Sequence, residues 1–118
     1  MRAKDAVGVY GERVALRHLT EAGLEVLETN WRCPAGEIDI VAVEGDVLVI
    51  CEVKTRSTLT FGTPAEALTP AKTRRLWRLA ACWLAEHDLP HSNVRVDLVA
   101  VVRQRRGPAL VEHVRGVC

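Results

Sequence analysis

Four residues in this chain have the types and spacing to do chemistry together: Glu37, Asp39, Glu52 and Lys54. They sit at the ends of two apolar segments, residues 38–43 and 47–53, both rich in β-branched side chains as strands are. Between the segments, Gly45-Asp46 fits a two-residue hairpin loop, with glycine first as a type II′ turn requires. Glu44 then faces Val47, and stepping back along both strands sets Asp39 across from Glu52 and Glu37 across from Lys54. Cross-strand partners share a face of the sheet, about 4.5–5.5 Å apart at Cβ. One face therefore reads Glu37, Asp39, Val41 and Val43 against Lys54, Glu52, Ile50 and Leu48. The other reads Ile38, Ile40 and Ala42 against Val53, Cys51 and Val49, and is wholly apolar. A three-residue turn would put Asp39 and Glu52 on opposite faces and scatter the charges over both, so the two-residue register is preferred.

Two carboxylates about 4 Å apart repel by roughly 4 kcal/mol at an effective dielectric near 20. A typical domain is stable by only about 5–15 kcal/mol, so such a pair needs compensation. Lys54 offers part of it, and a bound divalent cation would offer the rest. A magnesium site usually takes one or two carboxylates, with substrate phosphate and waters completing the shell. Asp39 and Glu52 supply the pair, and the peptide carbonyl of Val53 could add a ligand. Lys54 projects from the same face as Glu52, one pleat further on. There it could orient an attacking water or stabilise charge growing on a phosphate. The metal would make hydroxide available near neutral pH. These are the needs of phosphodiester hydrolysis.

The elements that must position these residues are legible in order. Residues 5–22 read as a helix, with an irregular stripe of Val7, Tyr10, Val14 and Leu19 and with Gly23 to end it. Gly8 and Gly11 cost stability inside a helix. They mark either a loose first turn or a close approach to the sheet, which would bring Glu12 near the acidic end of the hairpin. Residues 24–30 form a strand leading to Trp31, and residues 32–36 a turn before the hairpin. Residues 55–65 form a polar loop, placed either for substrate contacts or as a plain surface connection.

Thr69-Pro70 starts a second helix, a hydroxyl cap followed by proline at the first helical position. Its apolar stripe, Leu76, Leu79, Ala80, Trp83 and Leu84, runs to about His87. Lys72, Arg74, Arg75 and Arg78 crowd its first turns, where the helix dipole favours negative charge. They form a solvated cationic face or a phosphate-binding one. Trp77 flanks them as a packing residue or a stacking platform. Residues 94–102 read as a buried strand containing Asp97, residues 103–108 as a basic turn, and Leu110–Val114 as a last strand. The long helical connection between the third and fourth strands makes those two parallel. The expected architecture is an α/β fold with a mixed five-stranded sheet flanked by helices, in the order α-β-β-β-α-β-β.

At 118 residues the chain makes one domain, residues 1–118. Its 48% hydrophobic and 26% charged residues are ordinary for a globular protein. A net charge of +1 leaves any nucleic-acid partner to a local patch, mostly of arginine, which suits bidentate phosphate contacts. No stretch approaches a membrane span, and the first residues lack a signal peptide's apolar run. Cys33, Cys51, Cys82 and Cys118 are widely spaced and form no zinc-type pair, so reduced thiols in the cytoplasm are expected.

Taken together, Gly11-Glu12, Asn30-Trp31-Arg32, Gly36-Glu37-Ile38-Asp39, Glu52-Val53-Lys54-Thr55-Arg56, Phe61-Gly62, Lys72 and Arg95-Val96-Asp97 resemble the YraN family of small bacterial proteins, over nearly the whole chain. That family is similar to the PD-(D/E)XK nucleases, particularly archaeal Holliday-junction resolvases. The resemblance implies a restriction-endonuclease-like sheet, a magnesium or manganese cofactor, and a DNA partner. It makes Asp39 and Glu52 the metal-binding acids, Lys54 the catalytic lysine and Glu12 the first-helix acid. Ile38 stands where the superfamily carries proline. Resolvases of this type are dimers, so a homodimer belongs to the implication.

The leading expectation is thus a metal-dependent, structure-selective endonuclease. Arg56, Lys72, Arg75 and Arg78 would hold the phosphate backbone. The alternatives are a non-enzymatic nucleic-acid-binding module that keeps the shape of the site, and an adaptor whose acidic hairpin pairs with nearby arginines.

Overall fold

The computed structural model describes residues 6–56, 68–87 and 93–118. Its elements are α1 (Ala6–Glu21), β1 (Glu25–Cys33), β2 (Gly36–Glu44), β3 (Val47–Arg56), α2 (Pro70–His87), β4 (Asn93–Val102) and β5 (Leu110–Val114). This is the expected order. The strands form one sheet, β1-β2-β3-β4-β5, antiparallel except for the parallel pair β3–β4. Thr55 and Arg56, expected in a loop, are the last residues of β3, and the remainder of that loop lies outside the described residues.

The central hairpin takes the expected register, from Glu44↔Val47 to Ile40↔Cys51. Gly45 has φ 63° while Asp46 keeps a negative φ, as a turn with glycine first requires. Alternation then sorts the two cores. On one face Ile40, Ala42, Val49 and Cys51 pack with Ala15 and Leu19 of α1. On the other Val41, Leu48 and Ile50 pack with Leu76, Leu79 and Trp83 of α2. The helices therefore cover opposite faces of the sheet.

Ile38 departs from the expected pattern. It packs on the α2 face with Val41, whereas Ile40 lies on the α1 face. The β2–β3 ladder stops at Ile40↔Cys51, and beyond it β2 stays with β1, pairing Trp31↔Ile38 and Arg32↔Glu37. Asn30, across from this break, takes φ 54°, a left-handed conformation that asparagine tolerates better than most residues. Both strands change face together at this point, and Trp31 turns into the α2 core.

Each helix meets the sheet for a local reason. A Cβ on Gly11 would overlap the Thr55 side chain, so glycine there lets α1 lie close against the end of β3. Of the two readings left open for that glycine, close approach is the one observed. At the start of α2 the Thr69 hydroxyl accepts the Lys72 N–H at 3.2 Å, the expected cap.

Candidate active site

Where β2 leaves β3, the backbone partner that Val53 would have found is replaced by a side chain. The Val53 N–H donates to Asp39 Oδ2 at 2.8 Å. That bond fixes Asp39, only 6% exposed, at the fork between the strands. Glu52 lies beside it, and the two carboxyls share a hydrogen bond. Burial, then the hydrogen bond and charge of Asp39, push Glu52 up to about 7, against the pull of Lys54 and Arg75. The acids converge as expected, although the ladder that was to align them ends one pair earlier.

These groups line an open cleft of about 410 Å³ bounded by Arg32, Cys33, Gly36, Glu37, Asp39, Glu52, Val53, Lys54, Lys72 and Arg75. Lys54 stands next to Lys72 from the first turn of α2. The Lys54 charge, and then burial, hold the Lys72 ammonium below its ordinary range. Two cations so close are poised for a shared anion. Glu37, expected opposite Lys54, instead forms an ion pair with Arg32 at 3.1 Å on the neighbouring strand. The cleft thus has an acidic floor and a cationic rim.

The remaining expected residues are placed elsewhere. Glu12 is 7% exposed and accepts a hydrogen bond from Asn30 Nδ2 at 2.6 Å. It lines a separate depression with Val9, Arg13, Leu16, Thr29 and Asn30. Arg56 ends β3, where its carbonyl accepts the Arg103 N–H. Arg78, one turn before Cys82 on α2, is exposed and does not line the cleft, and Trp77 is 38% exposed. Of the four cations expected to hold phosphate, Lys72 and Arg75 therefore reach the cleft.

Among the described residues, no group of three His, Cys, Asp or Glu side chains gathers into a metal cage. The donor chemistry nonetheless fits a hard cation of the magnesium type. Asp39 and Glu52 present oxygen ligands from one spot, and such an ion keeps several waters and takes the rest of its shell from phosphate.

Sequence comparison now bears on the same residues. The model of the family described as "Uncharacterised protein family UPF0102" matches residues 11–101, a span that includes every cleft residue. The chain belongs to UPF0102, the YraN family. Within UPF0102 it is 64% identical over 117 residues to the UPF0102 protein of Beutenbergia cavernae, covering 99% of each chain. It is 60% identical over 118 residues to the UPF0102 protein of Kineococcus radiotolerans, covering 99% of this chain and 97% of that one. The match to the UPF0102 protein of Streptomyces coelicolor is 56%, covering 99% and 92%. No helix among the described residues is long and apolar enough to cross a membrane.

Proposed function

We propose that this UPF0102 protein is a magnesium- or manganese-dependent endonuclease that hydrolyses phosphodiesters in branched or junction DNA. The observation that carries the reading is the convergence of Asp39 and Glu52, in mutual hydrogen-bond contact, beside Lys54 at an open cleft. The order of elements agrees with the nuclease-like sheet that the sequence resemblance implies.

Asp39 and Glu52 would hold the cation, with Val53 at the same fork. When bound, the ion supplies a polarised phosphate and a water acidified toward neutrality. The chain's own residues do the rest. Lys54 donates to the charge that accumulates on the phosphoryl oxygens. Lys72 and Arg75, on the α2 side, bind the flanking phosphates and fix the strand's direction across the acids. Asp39 keeps its orientation because one oxygen is committed to the Val53 amide.

The test is a cleavage screen over single-stranded, duplex, flapped and four-way DNA, at low salt with magnesium or manganese. Branched substrates should be cut, and Lys54→Ala should slow cutting by at least about 100-fold. Substrates left intact after long incubation would overturn the reading. Salt-sensitive binding without cleavage would favour the non-enzymatic nucleic-acid-binding module instead.

A further inference from the structure

Cys33 and Cys82 are far apart in sequence, yet the fold brings them together beside the cleft. Cys33 ends β1 and pairs across the β1–β2 turn with Gly36. A Cβ on Gly36 would lie 3.7 Å from Arg75 Cδ and 3.7 Å from a Leu79 methyl of α2. Cys82 follows Arg75 and Leu79 on the same flank of the helix, at the i, i+4, i+7 spacing that stacks side chains along one stripe. Both thiols pack against the α2-side core and both are half-buried. They are close enough for Cys33 to act on the Cys82 thiol.

We propose that Cys33 and Cys82 form a reversible intramolecular disulfide under peroxide, a modification site that fastens β1 to α2 at the wall of the cleft. Cys33 lines the cleft and is the thiol a small oxidant meets first. Its sulfur attacks one peroxide oxygen and the O–O bond breaks. The thiol proton leaves with the departing hydroxide as water, and Cys33 becomes a sulfenic acid. The Cys82 sulfur then displaces the sulfenic hydroxyl, which departs with the Cys82 proton as a second water. Two thiols are oxidised, one hydrogen peroxide is reduced to two waters, and a dithiol reductant reverses the bond. Burial, and then the neighbouring Cys33, raise the Cys82 thiol above its ordinary range, so the pair closes faster as pH rises above neutrality.

The other two cysteines define the controls. Cys51 is buried, and burial raises its thiol, which keeps it inert. Cys118 is exposed and would link one molecule to another, so it is removed by Cys118→Ser. Three thiols then remain of the four. After hydrogen peroxide, denaturation and alkylation, the intact mass should show one adduct in place of three, with three restored by dithiothreitol. Peptide mapping should place the link between Cys33 and Cys82. Closing a loop of about fifty residues should also raise Tm by at least about 5 °C. Adding Cys82→Ser should abolish that rise and leave Cys33 as a sulfenic or over-oxidised acid. Three adducts persisting, or a link through Cys51 or between molecules, would overturn the proposal. The mass readout is independent of any cleavage activity; only the bearing of the disulfide on the cleft rests on the nuclease reading.

Discussion

Glu52 is held with its proton by burial and by Asp39, in a cleft whose purpose, on the proposed reading, is to lose that proton to a cation. Its folded-state value of about 7 lies above the ordinary 4.5. The folded protein therefore keeps the proton longer than the unfolded chain does. The stability this contributes is complete below about pH 4.5 and is lost as pH rises through about 7. In the metal-free protein, Glu52→Gln should thus be more stable than wild type at pH 8 by about 1–3 kcal/mol, with little difference at pH 4.5. Urea unfolding at the two pH values measures this. Magnesium should narrow the gap at pH 8, because wild type binds the ion and the glutamine variant binds it more weakly. An equal magnesium response in the two proteins would remove Glu52 from the ligand set.

At the scale of elements, α1 depends on a residue without a side chain. Gly11→Ala gains roughly 1 kcal/mol of helix propensity, but the new methyl overlaps the Thr55 side chain at the end of β3. Overpacking of this kind costs about 1–3 kcal/mol, and Thr55 is strand-bound and cannot swing clear. The variant should be destabilised in urea, and Thr55→Gly in the same chain should recover part of the loss as a non-additive pair. This contact shows where sequence reasoning succeeded: a glycine inside a helical stripe has few explanations, and one of them was observed. The Gly45-Asp46 turn, the Thr69 cap and the parallel β3–β4 pair were legible for the same reason, because each follows from local chemistry or from connection length. The fork at Asp39 was not legible. Strand alternation assumes an intact ladder, and nothing local to Ile38 announces that β2 leaves β3. The left-handed Asn30 carried a faint signal at most. Convergence of Asp39 with Glu52 survived because a side-chain bond to Val53 takes over where the ladder ends. The placement of Glu37 across from Lys54 did not survive, since it depended on the missing pairs, and Glu37 pairs with Arg32 instead.

Across the whole molecule, the load of holding the sheet together lies away from the cleft. Asp97, fully buried on β4, receives Arg95 Nε at 2.8 Å, the Gly116 N–H at 2.9 Å and His113 Nε2 at 2.7 Å. Arg95 continues to Glu44 at the end of β2, which Arg115 also reaches at 3.1 Å. One buried carboxylate thus ties β2, β4 and the chain beyond β5, over sequence separations that no local pattern reveals. Burial alone would raise the Asp97 carboxyl, but the bonds from His113, Arg95 and Gly116 outweigh it and bring it down to about 2. A lowered carboxyl contributes stability that is present above its ordinary value of 3.8 and lost as pH falls through about 2. Asp97→Asn removes that charge and leaves the Arg95 guanidinium facing a neutral amide. It should cost about 3–5 kcal/mol at pH 7 and flatten the acid limb of the stability profile between about pH 4 and 2. Glu44, Arg95 and Asp97 belong to the turn end and the α1 face, whereas Glu52 and Lys54 project on the α2 face toward the other end of the hairpin. Folded Asp97→Asn protein, checked by circular dichroism at low temperature, should therefore bind magnesium in calorimetry within about twofold of wild type. A loss of binding that tracked the loss of stability would mean that the acids at the fork are held by the sheet as a whole, and not by the single bond from Val53 to Asp39.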